Sequence, residues 1–236
     1  MTKVGISFDP KFFVYEITVA VSYIPVVAVL SVIPLIAGLF LGALLAISRV
    51  YRIKFMQKFA QTYVVIMRSI PILLQMFLAY YAVRAVYSVF GWNLAEINKI
   101  VVVIIVFILN AAGSLSEGIR SALLSVDASQ YEAGHSIGMT RSLSLLYVIL
   151  PQSLPVAVPI IGSVFIGIIK SSSAAYLMGI IEMIQGTAMK TAGNYRYLEA
   201  YCAAAVIYWL ITIAVEQMTR LLENYVRGNI KGASAV

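Results

Sequence analysis

Charge is scarce in this chain. Asp, Glu, Lys and Arg together make up 11% of its 236 residues, less than half the roughly 25% found in soluble domains. Cysteine and histidine are scarcer still, with one of each. A single cysteine, Cys202, excludes an intrachain disulfide, and its place in an apolar run reads as packing. His135 and Cys202 lie far apart and leave no ligand set for a structural zinc. The chain also lacks a GxxxxGK[ST] phosphate loop, so it is not itself a P-loop ATPase. No internal repeat and no low-complexity tract divides it, and one membrane domain is expected over residues 1–236. The start, with Lys3, Asp9 and Lys11 before the first apolar run, does not read as a cleavable signal. Apolar residues, by contrast, are abundant: 61% of the residues are hydrophobic and the mean hydropathy is +0.93. A net charge of +7 on a soluble protein would point to nucleic acid. On this chain it reads as Lys and Arg kept on the cytoplasmic side to fix orientation, and no nucleic-acid partner is expected.

A helix needs about 20 apolar residues to cross the hydrocarbon core. No charge occurs between Glu16 and Arg49, which predicts a first span over 18–47, kinked at Pro25 and Pro34. Further spans are predicted over 60–83, 99–119, 142–169 (apolar centre 154–170) and 198–220. The connection after the first span carries Arg49, Arg52, Lys54 and Lys58 with no acid, the strongest positive-inside signal in the chain. The predicted orientation therefore has the N-terminus outside, and the 120–150 loop and the C-terminal tail in the cytoplasm. Residues 171–197 are too polar to cross lipid exposed, so they are expected to line a cavity or lie at the outer surface. Gly38 and Gly42 form a GxxxG that would let two spans approach closely. Tyr80, Tyr81, Tyr87 and Trp92 read as an interfacial belt.

The 120–150 loop is a polar island in this apolar chain. Asp127-Ala128-Ser129-Gln130 offers N-cap chemistry, Gly134 and Gly138 permit a close turn, and residues 128–147 are predicted to form two short helices about it. Pro151, Pro155 and Pro159 perturb the start of the fourth span. Such a loop must face water, where it is free to engage a soluble partner and to act as a lever on the attached spans.

These residues carry a resemblance. Glu132-Ala133-Gly134 followed by Gly138, with Ile149-Leu150-Pro151 beyond, resembles the loop by which permease subunits of ABC importers engage their ATPases. Three further stretches are similar to the polar amino-acid uptake branch of that family. They are Met67-Arg68-Ser69-Ile70-Pro71 through Gln75, Phe165 through Lys170-Ser171-Ser172-Ser173, and Arg196-Tyr197-Leu198-Glu199-Ala200-Tyr201. The similarity spans about residues 14–225. It departs from the family pattern at Gly134, where a second alanine is commoner, at Val148 and at Met67, and Ser116-Glu117-Gly118-Ile119 follows the family's run only loosely. The resemblance implies an all-α membrane protein of about five transmembrane helices, with a cytoplasmic coupling-helix loop between spans three and four (the type I importer permease fold). It implies two ATP-binding cassette subunits, a second permease subunit, an extracytoplasmic binding protein and an amino-acid substrate. It also implies no cofactor on this chain, ATP and Mg belonging to the partners. The inner membrane is the implied location. Glu132, Ala133, Gly134, His135, Ser136, Gly138 and Arg141 are the implied ATPase-coupling residues.

Charges inside spans are costly and mark candidate functional positions. Arg68 and Gln75, seven apart and separated by Pro71, are expected to share a helix face toward a translocation path. Lys170 and Ser171 stand at the outer end of the fourth span. Glu117 is a further substrate-path candidate, with pairing to Arg120 at i+3 as its alternative. Two rival readings are weaker. Gly134-His135-Ser136-Ile137-Gly138 matches the G-x-S-x-G nucleophile elbow, but no histidine follows Ser136 to complete a triad. An ion-coupled secondary transporter would show midplane acids and inverted repeats, and neither is evident.

Overall fold

The computed structural model describes the backbone of residues 8–233 and the side chains of residues 8–228. It is built from helices, five of which are long and apolar enough to cross a membrane: Pro10–Val50, Ile72–Val89, Lys99–Leu124, Arg141–Met178 and Tyr197–Gly228. The protein is thus an all-α membrane protein with five spans.

The first span is one long rod in two pieces. Helix α1 (Pro10–Ser22) is capped by Asp9, whose carboxylate accepts from the Lys11 and Phe12 amides, and α2 (Ile24–Val50) continues it past Tyr23. The first span begins eight residues earlier than the sequence predicted, and this brings Glu16 inside the helix. Glu16 is fully buried, and neither carboxyl oxygen has a hydrogen-bond partner among the described residues. Its neighbours are α9 and α10, and Lys190 is the nearby cation.

The second predicted span does not form one helix. Helix α3 (Met56–Ser69) ends at the pre-proline residue Ile70, which is extended (ψ 128°), and α4 (Ile72–Val89) restarts after Pro71. Proline crowds the residue before it out of the helical region and supplies no amide hydrogen. The chain then crosses a short aromatic-rich connection, where Tyr87, Phe90 and Trp92 pack together, into α5 (Lys99–Leu124), capped by Asn98.

Helix α5 is the axis of the bundle. Its apolar face, including Val103, Phe107, Ala111 and Leu115, is fully or almost fully buried. The most extensive helix pair in the protein is α2 with α5. Gly38 and Gly42 make this possible: a Cβ on Gly38 would lie 2.7 Å from the Ala111 Cβ, and one on Gly42 would lie 3.0 Å from the Ala112 carbonyl oxygen. The predicted GxxxG is a helix-packing seam.

Past the polar loop, α6 (Ala128–Ser136) and α7 (Arg141–Ser144) lead into a π-helical turn over Leu145–Ile149 and then α8 (Leu150–Ser172). The wide turn falls where Pro151 withholds its amide from the preceding turn. Pro151 therefore widens the helix without breaking it, and Pro155 and Pro159 lie inside α8. Residues 171–197, expected to line a cavity or lie at the outer surface, contain α9 (Met183–Thr191). Helix α9 is tucked against α1 and α10, with Met183, Gly186, Thr187 and Thr191 buried. Glu182 caps it, accepting from the Gln185 amide, and also accepts from the Tyr208 hydroxyl. Helix α10 (Tyr197–Ala233) closes the bundle against α1 and α8.

Polar contacts identify the two ends. At one, Asp9 donates its amide to the Glu199 carboxylate and Arg196 pairs with Glu199 at 3.0 Å. At the other, Arg49 of α2 meets Glu117 of α5 at 2.8 Å, and the Tyr51 hydroxyl reaches the Arg141 carbonyl at 3.5 Å. The arginine-rich connection and the polar loop therefore share one end of the molecule, as their charge pattern predicted.

Candidate functional site

The polar loop is a rigid elbow. Asp127 caps α6 by accepting from the Ser129 amide. Hydrogen bonding to Ser129 holds its carboxyl below the usual carboxylate range, so the cap stays charged. After Ser136 the chain reverses through Ile137–Thr140. The Gly138 amide donates to His135, and the Met139 amide to Gly134. Gly138 adopts φ +84°, a left-handed conformation that suits glycine. Thr140 then caps α7 by accepting from the Leu143 amide. Gln152 of α8 donates to Gln130 of α6 across the fold-back.

Glu132, Ala133, His135, Ser136, Gly138 and Arg141 are exposed on this elbow, and Ile137 at its tip is 77% exposed. Gly134 alone of the singled-out loop residues is buried. A Cβ there would come within 2.6 Å of the Ser144 hydroxyl, so glycine lets α7 close onto α6 at this position. Glu132 forms no ion pair among the described residues. Tyr51 seats the elbow against α2. Burial, with Tyr131 beside it, raises the phenol well above its ordinary value and keeps it neutral.

The substrate-path candidates separate into distinct places. Arg68 and Gln75 do not share a helix face, because the break at Ile70–Pro71 puts them on different helices. Gln75 is buried and bridges that break, donating to the Met67 carbonyl at 2.9 Å and the Ile70 carbonyl at 2.7 Å. Asn110 of α5 donates to the same Met67 carbonyl at 3.0 Å and to the Gln75 side-chain oxygen at 3.4 Å. The amide pair thus satisfies the carbonyls freed at the break. Replacing Gln75 by Leu strands the Ile70 carbonyl in an apolar surround and leaves the Met67 carbonyl to Asn110 alone. The expected cost is about 2 kcal/mol, read as a lowered unfolding midpoint of the detergent-solubilised protein.

Asn110 lies near the middle of α5, so the joint and the neighbouring Arg68 sit at mid-depth. Arg68 is exposed there. Beside the joint, Ser171 lines a cavity of about 170 Å³ together with Asn110, Ser114, Phe107 and Gly167. Asn110 and Ser114 were missed by the sequence reading, although two polar residues four apart in an apolar span are a legible signal. Glu117 is elsewhere: its carboxylate is shared between Arg49 at 2.8 Å and Arg120 at 2.6 Å. Lys170 is exposed at the far end of α8 and forms no ion pair among the described residues.

Five spans, a mid-depth polar joint and a soluble elbow braced on two of the spans define a membrane permease. The chain belongs to the family of binding-protein-dependent transport system inner membrane components, whose description matches residues 38–228. It is 31% identical to the probable amino-acid permease protein YxeN of Bacillus subtilis, over 92% of this chain and 95% of that one. It is 29% identical to the glutamine transport system permease protein GlnP of Escherichia coli, over 83% and 87% of the two chains. A solved amino acid ABC transporter with histidines superposes with a TM-score of 0.82 at 26% identity, covering 93% of this chain and 99% of that one. The inward-facing methionine transporter MetNI, at 17% identity and a TM-score of 0.63, shares the fold. The protein is a membrane transport subunit and not an ATPase.

Proposed function

We propose that this chain is the permease subunit of an ATP-driven importer that carries a polar amino acid across the cytoplasmic membrane by alternating access. The observation that carries the reading is the elbow. It presents a row of exposed polar side chains on a short helix whose two flanks run directly into the spanning helices α5 and α8. A soluble subunit gripping Glu132, Ala133, His135, Ser136, Gly138 and Arg141 would therefore move two spans at once, with Gly134 holding the elbow closed. ATP and Mg would be bound by two such ATPase subunits. The basic connection at the elbow's end supports a cytoplasmic position for it. The opposite end, where Asp9, Arg196 and Glu199 meet, would then face an extracytoplasmic binding protein.

An exposed arginine at mid-depth costs about 2.5–3.5 kcal/mol on insertion scales unless it is paired or hydrated. Arg68 thus supports a second permease subunit, or a water-filled path between two subunits, against the α3–α4 joint. The path would run past Arg68, Gln75 and Ser171. Asn110, Ser114 and Ser171 offer neutral hydrogen-bonding groups for a zwitterion. Glu117, engaged by two arginines, serves as a brace between α2 and α5, and Lys170 stands at the outer mouth.

The test is reconstitution of the chain with its ATPase and binding-protein partners into vesicles, followed by an uptake screen of the common amino acids. ATP-dependent uptake of a polar amino acid is expected. Ser114→Leu, which fills the cavity, should lower uptake about tenfold, the effect of about 1.4 kcal/mol, with assembly unchanged. Uptake driven by an ion gradient without ATP would overturn the reading.

A further inference from the structure

The elbow's end of the molecule carries a second polar cavity that plays no part in the proposed transport path. Its volume is about 240 Å³, and Arg49, Arg52, Gln57, Gln61, Arg120 and Leu124 line it. Three arginines line it, and among the described residues the one carboxylate paired with any of them is Glu117. That carboxylate is already divided between Arg49 and Arg120. Arg52 forms no ion pair among the described residues. The Arg49 side chain is only 12% exposed, and its Nε has no hydrogen-bond acceptor among them.

Concentrating uncompensated positive charge next to the bilayer is unfavourable without an anion to neutralise it. The donors here are forks of N–H groups and side-chain amides, the geometry that matches phosphate oxygens. The surroundings of the cavity say which phosphate. Its rim continues into the start of α3, where Phe55 is 88% exposed and Phe59 61% exposed, with Ile53 and Met56 also outward. Lys54 and Lys58 are interleaved with them and exposed. Apolar side chains alternating with lysines at the end of a spanning helix belong at the boundary between acyl chains and headgroups. A free anion needs no such apolar rim, whereas a phospholipid would contact both parts.

We infer that the cavity formed by Arg49, Arg52, Arg120, Gln57 and Gln61 binds the phosphate headgroup of an anionic phospholipid, whose acyl chains lie along Phe55 and Phe59. Such a lipid would wedge the ends of α2, α3 and α5 together beside the root of the elbow. Basic pockets between spanning helices are suited to this role. The inference concerns a site outside the transport path and holds whichever solute is carried.

The test uses the full chain, purified in detergent in its native complex, mildly delipidated and titrated with phosphatidylglycerol or phosphatidylcholine under native mass spectrometry. Phosphatidylglycerol should be retained in preference. Arg52 is exposed and has φ +52°, so Arg52→Gly removes the guanidinium while favouring the existing backbone. This variant should lower phosphatidylglycerol occupancy about fivefold, the contribution of about one cation near a charged lipid. Phosphatidylcholine binding should not change, and the unfolding midpoint should not fall. Gln57→Leu, which loses an amide without touching the ion pairs, should lower occupancy in the same direction. Equal phosphatidylglycerol occupancy in the wild type and both variants overturns the inference. Inorganic phosphate alone raising the wild-type midpoint, with no lipid preference, would make the cavity a free-anion site and also overturn it. So would loss of an associated subunit from Arg52→Gly at unchanged lipid occupancy, because the cavity would then hold that subunit's acidic side chain.

Discussion

Gly138→Asp is expected to abolish uptake while leaving the protein folded in the membrane. The backbone at Gly138 is left-handed, and Asp is among the residues that tolerate that conformation, at a cost of about 1 kcal/mol. A side chain there meets nothing within 4 Å, so the elbow itself has room for it. The change falls on the docking surface, where a partner subunit would have to cover a new, unpaired carboxylate. Burying such a charge costs about 2–5 kcal/mol. That corresponds to a loss of coupling of at least roughly thirtyfold. The measurement is uptake normalised to permease present in the membrane fraction, together with ATPase activity of the assembled complex. Membrane levels should match the wild type, and uptake should fall to background. Wild-type uptake would show that nothing docks on the elbow's turn.

The second large effect concerns folding. Gly42→Leu should deplete the protein from the membrane. A Cβ on Gly42 would stand 3.0 Å from the Ala112 carbonyl oxygen, 3.0 Å from the Leu115 Cβ and 3.1 Å from the Ser116 amide nitrogen. None of these atoms is the tip of a flexible side chain, so α2 must move away from α5 as a body. In lipid the seam is held by close packing, with no hydrophobic driving force between helices to compensate. Overpacking costs about 1–3 kcal/mol for modest insertions, and a leucine in this seam exceeds a modest insertion. Gly42→Ala should lower the unfolding midpoint by several degrees, whereas Gly167→Ala, where a Cβ meets nothing within 4 Å, should leave it unchanged. A Gly42→Leu protein at wild-type abundance and midpoint would mean the seam contributes little.

The spans were legible because their signal is one-dimensional. Thirty-two uncharged residues in a row between Glu16 and Arg49 admit few alternatives to a spanning helix, and the basic run after them marks one end. The elbow was legible for the complementary reason. Polar residues, an N-cap aspartate and two glycines between apolar spans can be placed in water without knowing any contact. The break between α3 and α4 was less so. The second span was expected to run through Pro71 and the fourth to be perturbed at Pro151, yet the first proline ends a helix and the second only widens one. Gln75 and Asn110 stabilise the break at Pro71 by bonding its carbonyls. At Pro151 the helix keeps running because α6 and α7 pack against the widened turn.

Glu16 and Glu182 illustrate the same limit. Both are fully buried, yet a sequence gives no sign that α9 folds back into the bundle to cover them. Glu117 could be read as a substrate contact or as the i+3 partner of Arg120. It is held also by Arg49, sixty-eight residues away. Composition and pattern alone determined five membrane crossings and a polar elbow between the third and fourth, because partitioning between lipid and water depends on each residue's own chemistry. Which polar groups satisfy one another, which proline ends a helix and which cations stay uncompensated were decided by the tertiary structure, because those energies belong to pairs that only the packed bundle brings together.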